Sequence, residues 1–278
     1  FSPPNGFLHE TLSFPDDDES VGMAFWAVRG PTFEQFEWKT SLDILFEYLT
    51  DSSISPLRAA LVDTESPLCS SIDYGFEDGK EQMLYVRFDD VAIDKLNEAK
   101  DLFFAALRAT SASKIDASRM ENVLKKAKLT LLNELETNAD EFCADLCIQH
   151  FLYGNDIESF EQSCDELKRL ENLSNKPMQY WNDLLNQVLH LNYAFLEAKP
   201  SSELAQEMQA KEQKRIEEQK ALLTSKGLAQ KKLELEKATQ VHAQSLPPQS
   251  ALSNIPIPNI EKVSTIPVLT IENGKIDF

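Results

Sequence analysis

The sequence predicts an α+β fold in which helices cover an antiparallel sheet, followed by a helical hairpin arm and an extended connector. Three observations predict it. Short runs of β-forming residues are bracketed by turn signals, amphipathic helical runs lie between them, and the composition changes sharply at Pro200. With 278 residues and 42% hydrophobic content, the chain can bury a sizeable core. We therefore expect one large domain with an appendage.

The first predicted strand is Val21–Arg29, a run rich in β-forming residues that a Gly-Pro pair closes. Two helices follow, and the stretch YLTDSSISPLRAALVD (Tyr48–Asp63) contains the joint between them. Ser55 is placed to cap the second helix, and Pro56 to occupy its first position, where the missing N–H is tolerated. The pattern predicts a helix, a tight connection and a second helix.

A β-hairpin comes next, with arms at 68–79 and Met83–Phe88 and an Asp-Gly turn between them. In the second arm Leu84, Val86 and Phe88 share one face of the strand. Asp116 is placed to cap a later helix. The helices predicted after the hairpin span 92–108, 120–136, 139–152, 157–170 and 177–189, and a closing strand spans 191–200.

Residues 201–241 consist mainly of Glu, Lys, Gln, Ala and Leu and contain no aromatic residue. They favour helix, with a predicted break at 224–227 that ends on a glycine. The proline-rich residues after them predict an extended connector. The predicted domains are therefore an α+β domain at 1–199, a helical hairpin at 200–244 and an extended connector at 245–278.

The net charge of −19 belongs to the first part of the chain, because residues 201–278 carry ten acidic and ten basic side chains. Such an acidic surface argues against nucleic acid, whose phosphates require clustered Lys and Arg. Two interpretations of the acidity stay open, solubility and long-range attraction of basic peptides. No apolar run approaches the roughly 20 residues of a membrane span, so we expect no membrane partner.

Four cysteines in a chain of this length do not make a disulfide framework, which favours free thiols in a reducing compartment. We expect the cytoplasm, with the mitochondrial matrix as the alternative. The chain starts at Phe1, which fits a processed product or a piece of a longer protein. Its first residues lack the basic flank and long apolar run of a signal peptide.

Residues that could carry chemistry are scarce. None of the four histidines has a partner at zinc-site spacing, and the sequence contains no H-x-x-E-H, phosphate-binding loop or G-x-S-x-G motif. Cys143, Cys147 and His150 lie at i, i+4 and i+7, and a packed helix face is favoured there over a metal site. The acidic run Asp16–Glu19 is interpreted as a solvated turn. We predict no catalytic, metal-binding or cofactor-binding residue in this chain.

The order of these motifs resembles the repeated α/β domain of the pitrilysin (insulinase) family of zinc metallopeptidases, in particular its presequence-protease-like branch. The resemblance is carried by ETLSFPDDDESVGMAFWAVRGP, LDILFEYLTDSSISPLRAALVD, the following hairpin and the Lys/Glu-rich stretch after AFLEAKPSSELAQE. In that family four similar domains form two halves that close around an unstructured peptide. The zinc-binding H-x-x-E-H motif lies in the first domain. The resemblance implies that this chain is the second, non-zinc domain, the helical hairpin between the halves and the lead-in to the third domain.

The resemblance also implies a function: a segment of a zinc metalloendopeptidase that degrades peptides inside a clamshell chamber, of which this part forms wall and hinge. Zinc and the general base would lie in another domain, so the segment alone is expected to be inactive. Ser53, Ser55 and Arg58 at the helix joint are candidate residues of the chamber wall that shape the substrate. The implied partners are unstructured peptides, basic ones in particular, and the remaining domains of the same protein.

Two alternatives stay open. One is a catalytically inactive family member that acts as a binding or core structural subunit. The other is a scaffold in which residues 201–241 recruit a partner.

Overall fold

The computed structural model describes residues 6–245 and 247–253 of the chain. The chain divides into two units, the first ending at Lys211 and the second beginning at Glu212. The strands are β1 (Leu8–Pro15), β2 (Val21–Thr32), β3 (Ser71–Glu77), β4 (Glu81–Ala92) and β5 (Tyr193–Ser201). The helices are α1 (Phe36–Thr50), α2 (Pro56–Leu61), α3 (Ala99–Ser113), α4 (Ala117–Thr137), α5 (Ala139–Tyr153), α6 (Ile157–Cys164), α7 (Glu166–Ser174), α8 (Met178–Leu189), α9 (Ser202–Gln244) and α10 (Gln249–Ser253).

The five strands form one sheet in the order β1-β5-β2-β4-β3. Strand β2 pairs antiparallel with β4 and β5, and β3 pairs antiparallel with β4. Strand β1 pairs parallel with β5 and was not among the predicted strands. The predicted fold class is confirmed, because helices cover a sheet that is antiparallel apart from this one pair.

One face of the sheet packs against the helices. Trp26 of β2 is fully buried, and its ring centre lies 5.8 Å from that of Phe46 on α1 and 5.5 Å from that of Phe103 on α3. The side chains predicted to share the inner face of β4, Leu84, Val86 and Phe88, are all 0% exposed. The strand alternation seen in the sequence is therefore the burial alternation of the folded sheet.

The predicted helix at 157–170 is wrong in one respect, because two helices, α6 and α7, meet at Asp165. Arg169 of α7 donates to the carbonyl of Gln162 and, at 3.2 Å, to that of Ser163. The carbonyl of Gln162 also accepts from the backbone N–H of Asp165 at 3.3 Å. The guanidinium is thus a further donor to carbonyls at the end of α6, which stabilises the break.

The helix predicted to start at Ala92 starts later. Strand β4 extends to Ala92, which pairs with Val21, and a 3₁₀ turn at Leu96–Glu98 precedes α3.

Helix α9 contains the Lys/Glu-rich stretch, and the backbone leaves the helical conformation at Thr224 (φ 58°, ψ 174°), the first residue of the predicted break. Of the predicted connector, α10 is described, and the residues from 254 onwards lie outside the described part. Among the described residues, no helix is long and apolar enough to cross a membrane. The domain boundaries at 199 and 244 stay predictions.

Candidate functional site

The predicted joint lies between α1, which ends at Thr50, and α2, which begins at Pro56. Ser55 occupies the N-cap position, but its hydroxyl does not cap α2. Instead, Ser55 Oγ accepts a hydrogen bond from Ser52 N at 2.8 Å, and Ser55 N donates to Ser52 O at 2.7 Å. The Ser55 hydroxyl therefore stabilises the turn between Ser52 and Ser55. The prediction that it caps α2 is wrong.

Arg119 near the start of α4 holds this joint together. Its guanidinium donates to the carbonyl of Tyr48, to the carbonyl of Ile54 at 2.9 Å and to Ser55 Oγ, and lies 4.4 Å from the centre of the Tyr48 ring. The Tyr48 hydroxyl in turn accepts from the backbone N–H of Asp116, whose carboxylate caps α4 as predicted. One cation thus links the end of α1, the joint and the start of α4.

The three candidate wall residues at the joint differ in exposure. Ser53 is exposed, Ser55 is 0% exposed, and Arg58 is half-buried with Asp63 as ion-pair partner at 3.4 Å. Ile54, which the sequence analysis did not single out, is 73% exposed at the tip of the joint. Among these four residues, Ser53 and Ile54 are exposed and Arg58 is partly exposed, while Ser55 supports the joint from inside.

The face of the sheet turned away from the helices forms a broad surface, here called the open face. The strand registers place Phe25 beside Leu196 and Arg87, and Ala27 beside Ala194 and Tyr85. The other side chains on the open face are Leu8, Glu10, Leu12, Met23, Arg29, Asp73, Glu77, Met83 and Ala198, with Gly75 among them. None of these residues is buried. The open face is therefore apolar at its centre and charged towards β3.

Charged pairs border the open face at β3 and β4. Arg87 contacts Asp89 at 3.1 Å and Asp73 at 3.3 Å, and these carboxylates, Asp89 first, raise the pKa of the guanidinium. Arg29 pairs with Glu81. A cavity of ≈510 Å³ opens next to this pair and is also lined by Met83 and Tyr193. This edge of the open face therefore carries positive and negative side chains next to a partly apolar cavity.

The acidic turn before β2 anchors the helical arm. The Glu19 carboxylate accepts from the backbone N–H of Ser202 at 2.7 Å and from its hydroxyl at 2.8 Å, at the first residue of α9. These hydrogen bonds lower the pKa of Glu19. A carboxylate at a helix N-terminus is favoured by the helix dipole and by unpaired N–H groups. The acidic run therefore has a structural role at the root of the arm.

Strand β1 is fixed by a buried carboxylate. Glu197 of β5 is 3% exposed, and its side chain contacts His9 Nε2 at 2.7 Å and accepts from Thr11 Oγ1 at 3.4 Å. His9 Nδ1 lies 3.1 Å from Lys100 Nζ of α3. These partners are separated by up to 188 residues in sequence, so no local signal could have revealed them.

Acidic side chains also line a cavity of ≈210 Å³ among α1, β3, α4 and α7. The Tyr74 hydroxyl donates to Asp43 Oδ1 at 3.0 Å and lies 3.4 Å from Glu47 Oε2. Burial raises the pKa of Asp43, and Glu47 adds to this effect, while Lys39 and the Tyr74 hydroxyl oppose it. Burial also raises the pKa of Glu166, with Arg169 opposing.

We expect Asp43→Asn to stabilise the protein at neutral pH. Because the folded state raises the pKa of Asp43, it binds the proton more tightly than the unfolded chain does. The contribution of Asp43 to stability therefore falls as pH rises from about 4, the unfolded Asp pKa, through the raised folded value. The difference in melting temperature between variant and parent should grow to a few degrees between about pH 4 and pH 7. Asp94→Asn, which makes the same change of side chain at an exposed turn position, is the control.

The sequence predicted that Cys143, Cys147 and His150 lie on a packed helix face. This prediction is wrong for the two cysteines, because both are exposed and α5 contains no buried residue. His150 is partly buried, and its ring centre lies 5.1 Å from that of Phe160. In the part of the chain that the structure describes, no group of three or more His, Cys, Asp or Glu is arranged to hold a metal ion.

No protein-family model matches the chain. Over 265 residues, the chain is 29% identical to an uncharacterized protein of Caenorhabditis elegans, covering 94% of this chain and 26% of that protein. Over 271 residues, it is 24% identical to an uncharacterized protein of Saccharomyces cerevisiae, covering 95% of this chain and 26% of that protein. The chain thus spans about a quarter of the length of these curated relatives.

Solved structures share the fold. A protease from Helicobacter pylori matches with a TM-score of 0.55 and 17% identity, over 71% of this chain and 46% of that chain. An inactive peptidase domain from Bordetella parapertussis matches with a TM-score of 0.54 and 15% identity, over 68% of this chain and 95% of that chain. A peptidase M16 inactive domain from Pseudomonas fluorescens matches with a TM-score of 0.50 and 14% identity, over 70% of this chain and 44% of that chain. The chain therefore has the fold of M16 peptidase domains, and the pitrilysin-like resemblance is supported at the level of fold.

Proposed function

We propose that this chain is a non-catalytic domain of a longer zinc metalloendopeptidase of the M16 type, in the presequence-protease-like branch. The observation that carries the proposal is the fold shared with the inactive peptidase domain from Bordetella parapertussis, of which 95% is covered. The curated relatives, about four times as long as the matched region, leave room for a separate catalytic domain. Zinc and the general base belong to that other part, because the described residues offer no matching ligand group. The free thiols favour the cytoplasm, with the mitochondrial matrix as the alternative.

In this proposal the open face walls a chamber for unstructured peptides. An apolar sheet surface is normally covered, and this one has no cover among the described residues. Its apolar centre suits the side chains of an extended peptide. The cavity beside Arg29 and Glu81 suits one larger side chain. The acid excess of the domain raises the local concentration of basic peptides.

The helical arm acts as the hinge between the halves of the enzyme in this proposal. Glu19 and Ser202 fix its root to the turn before β2. The joint connects helices of the covered side of the sheet, so Ser53, Ile54 and Arg58 are proposed to shape the substrate apart from the open face.

The test uses the full-length protein and two peptides of equal length, one rich in lysine and one neutral. Glu10→Gln, Asp73→Asn and Glu77→Gln together remove three exposed acids of the open face. We expect kcat/KM for the lysine-rich peptide to fall about three- to tenfold, with little change for the neutral peptide, because steering depends on charge. The loss should shrink as ionic strength rises.

The matched control is Glu98→Gln, Asp101→Asn and Glu136→Gln, three exposed acids on helical segments away from the open face. This variant should cleave both peptides as the parent does. An unchanged preference in the open-face variant would contradict the charge role of the wall. A full-length protein that binds these peptides but cleaves neither would instead identify an inactive binding subunit.

A further inference from the structure

Helix α5 has an unusual composition for a surface helix. It contains no buried residue, yet it is apolar on both sides. Its inner side contacts the domain, with the Tyr153 ring centre 5.9 Å from that of Phe33 and Gln149 Nε2 donating to Asp78 Oδ2 at 3.2 Å. A helix that is hydrophobic all round is normally buried on all sides.

The outer side of α5 carries the apolar residues that nothing in the described chain covers. Phe151 is 86% exposed, Leu152 57% and Ile148 55%, and Ile157 at the start of α6 is 70% exposed. Cys147 is exposed one helical turn before Phe151. On α5, Cys147 lies below Phe151 and Ile148 below Leu152, because residues four apart lie one above the other, and Ile157 follows on α6. They form the α5 patch, defined as Cys147, Ile148, Phe151, Leu152 and Ile157.

The charge around the α5 patch indicates which kind of protein surface can bind there. Residues 138–164 carry six acidic side chains and no Lys or Arg. A second copy joined by a two-fold axis would place these acids opposite one another, and like charges at an interface oppose association. The charge therefore favours a different surface, apolar at its centre and bordered by Lys and Arg.

The length of the relatives favours a surface on the same polypeptide. Because the chain matches only 26% of the curated relatives, most of such a polypeptide lies outside it. We propose that the α5 patch docks on another domain of the same polypeptide, through an apolar surface bordered by basic residues. The inference rests on the part of the proposed function in which the chain is one domain of a longer protein. It assigns the docking surface to α5 and leaves the open face free for peptide.

The test compares the 278-residue chain with the full-length protein, using Cys147 as a probe. Thiol alkylation is followed by mass spectrometry of the peptide that contains Cys147. We expect Cys147 to react at least about tenfold more slowly in the full-length protein, because covered residues react only after local opening. Equal rates in the two proteins would overturn the inference.

A substitution provides the second measurement. Phe151→Ser should leave the melting temperature of the 278-residue chain within about 1 °C, since surface changes are nearly neutral. In the full-length protein the same variant should lower the melting temperature by several degrees and restore the alkylation of Cys147. No destabilisation in the full-length protein would contradict docking. A dimer of the 278-residue chain that Phe151→Ser abolishes would assign the patch to a second copy and also overturn the inference.

Peptide cleavage is measured separately on the same full-length samples. If the full-length protein cleaves peptides while Cys147 stays reactive, the proposed function is supported and the docking surface is rejected. If the full-length protein is inactive but Cys147 is covered, the docking surface is supported and the peptidase function is rejected.

Discussion

Replacing Arg119 by Met should lower the free energy of unfolding of the α+β unit by about 3 kcal/mol. Each hydrogen bond to a charged group contributes about 1.5–3 kcal/mol, and the three bonds of Arg119 are not additive because they share one guanidinium. The guanidinium is the shared donor for the carbonyls of Tyr48 and Ile54 and for the Ser55 hydroxyl. Met keeps much of the aliphatic length but donates nothing, so the carbonyls of Tyr48 and Ile54 lose this donor, while Ser55 Oγ keeps the N–H of Ser52. Urea denaturation followed by tryptophan fluorescence measures the difference.

The control for Arg119 is Arg58→Met, three residues after Ser55 in the first turn of α2. Arg58 is half-buried and makes one ion pair, to Asp63 at 3.4 Å. Exposed pairs of this kind contribute about 0–1 kcal/mol, so this variant should change stability by less than about 1 kcal/mol. Equal effects of the two substitutions would show that Arg119 does not hold the joint together.

Replacing Gly22 by Ala should cost about 3 kcal/mol, at the upper end of the usual penalty for overpacking a core. A Cβ atom at Gly22 would lie 2.5 Å from the carbonyl oxygen of Ala198 on β5 and 3.2 Å from Leu96 Cδ2. The oxygen belongs to the backbone of a paired strand, because Met23 pairs with Ala198. It cannot move without disturbing the contact between β2 and β5, at the centre of the sheet.

Gly75→Ala on β3 is the matched control for Gly22. A Cβ atom at Gly75 would lie 2.7 Å from the hydroxyl of Tyr85, which is a side-chain atom. Tyr85 is on the open face and partly exposed, so its ring can rotate away. We expect a loss of about 1 kcal/mol or less. A Gly75 variant as unstable as the Gly22 variant would contradict the argument from a fixed backbone.

Several elements were predictable because their signals are local. The burial alternation of β4, the hairpin turn, the cap at Asp116 and the joint ending at Pro56 each depend on residues within about one turn of one another. Such local preferences act wherever the chain is, so the sequence predicts them without knowledge of the partner elements.

Strand β1 could not be predicted in this way. Seven of its eight residues are exposed, and Glu10 interrupts the alternation of Leu8, Leu12 and Phe14, so the apolar pattern is too weak to mark a strand. It exists because β5, about 185 residues later in the chain, supplies the parallel ladder, and because Glu197 fixes His9. The break at Asp165 is similar, since Arg169 folds back from α7 and donates to the carbonyls of Gln162 and Ser163.

By itself, the sequence determined the α+β class and the helical character of the arm, because composition and periodicity carry that information. Only the tertiary structure decided that the Ser55 hydroxyl faces Arg119, that Glu19 holds the root of the arm and that one side of α5 is left uncovered. The physical reason is the same in each case. A side chain's partner is set by which distant elements the fold brings within hydrogen-bonding or van der Waals distance, and a sequence window does not contain those elements.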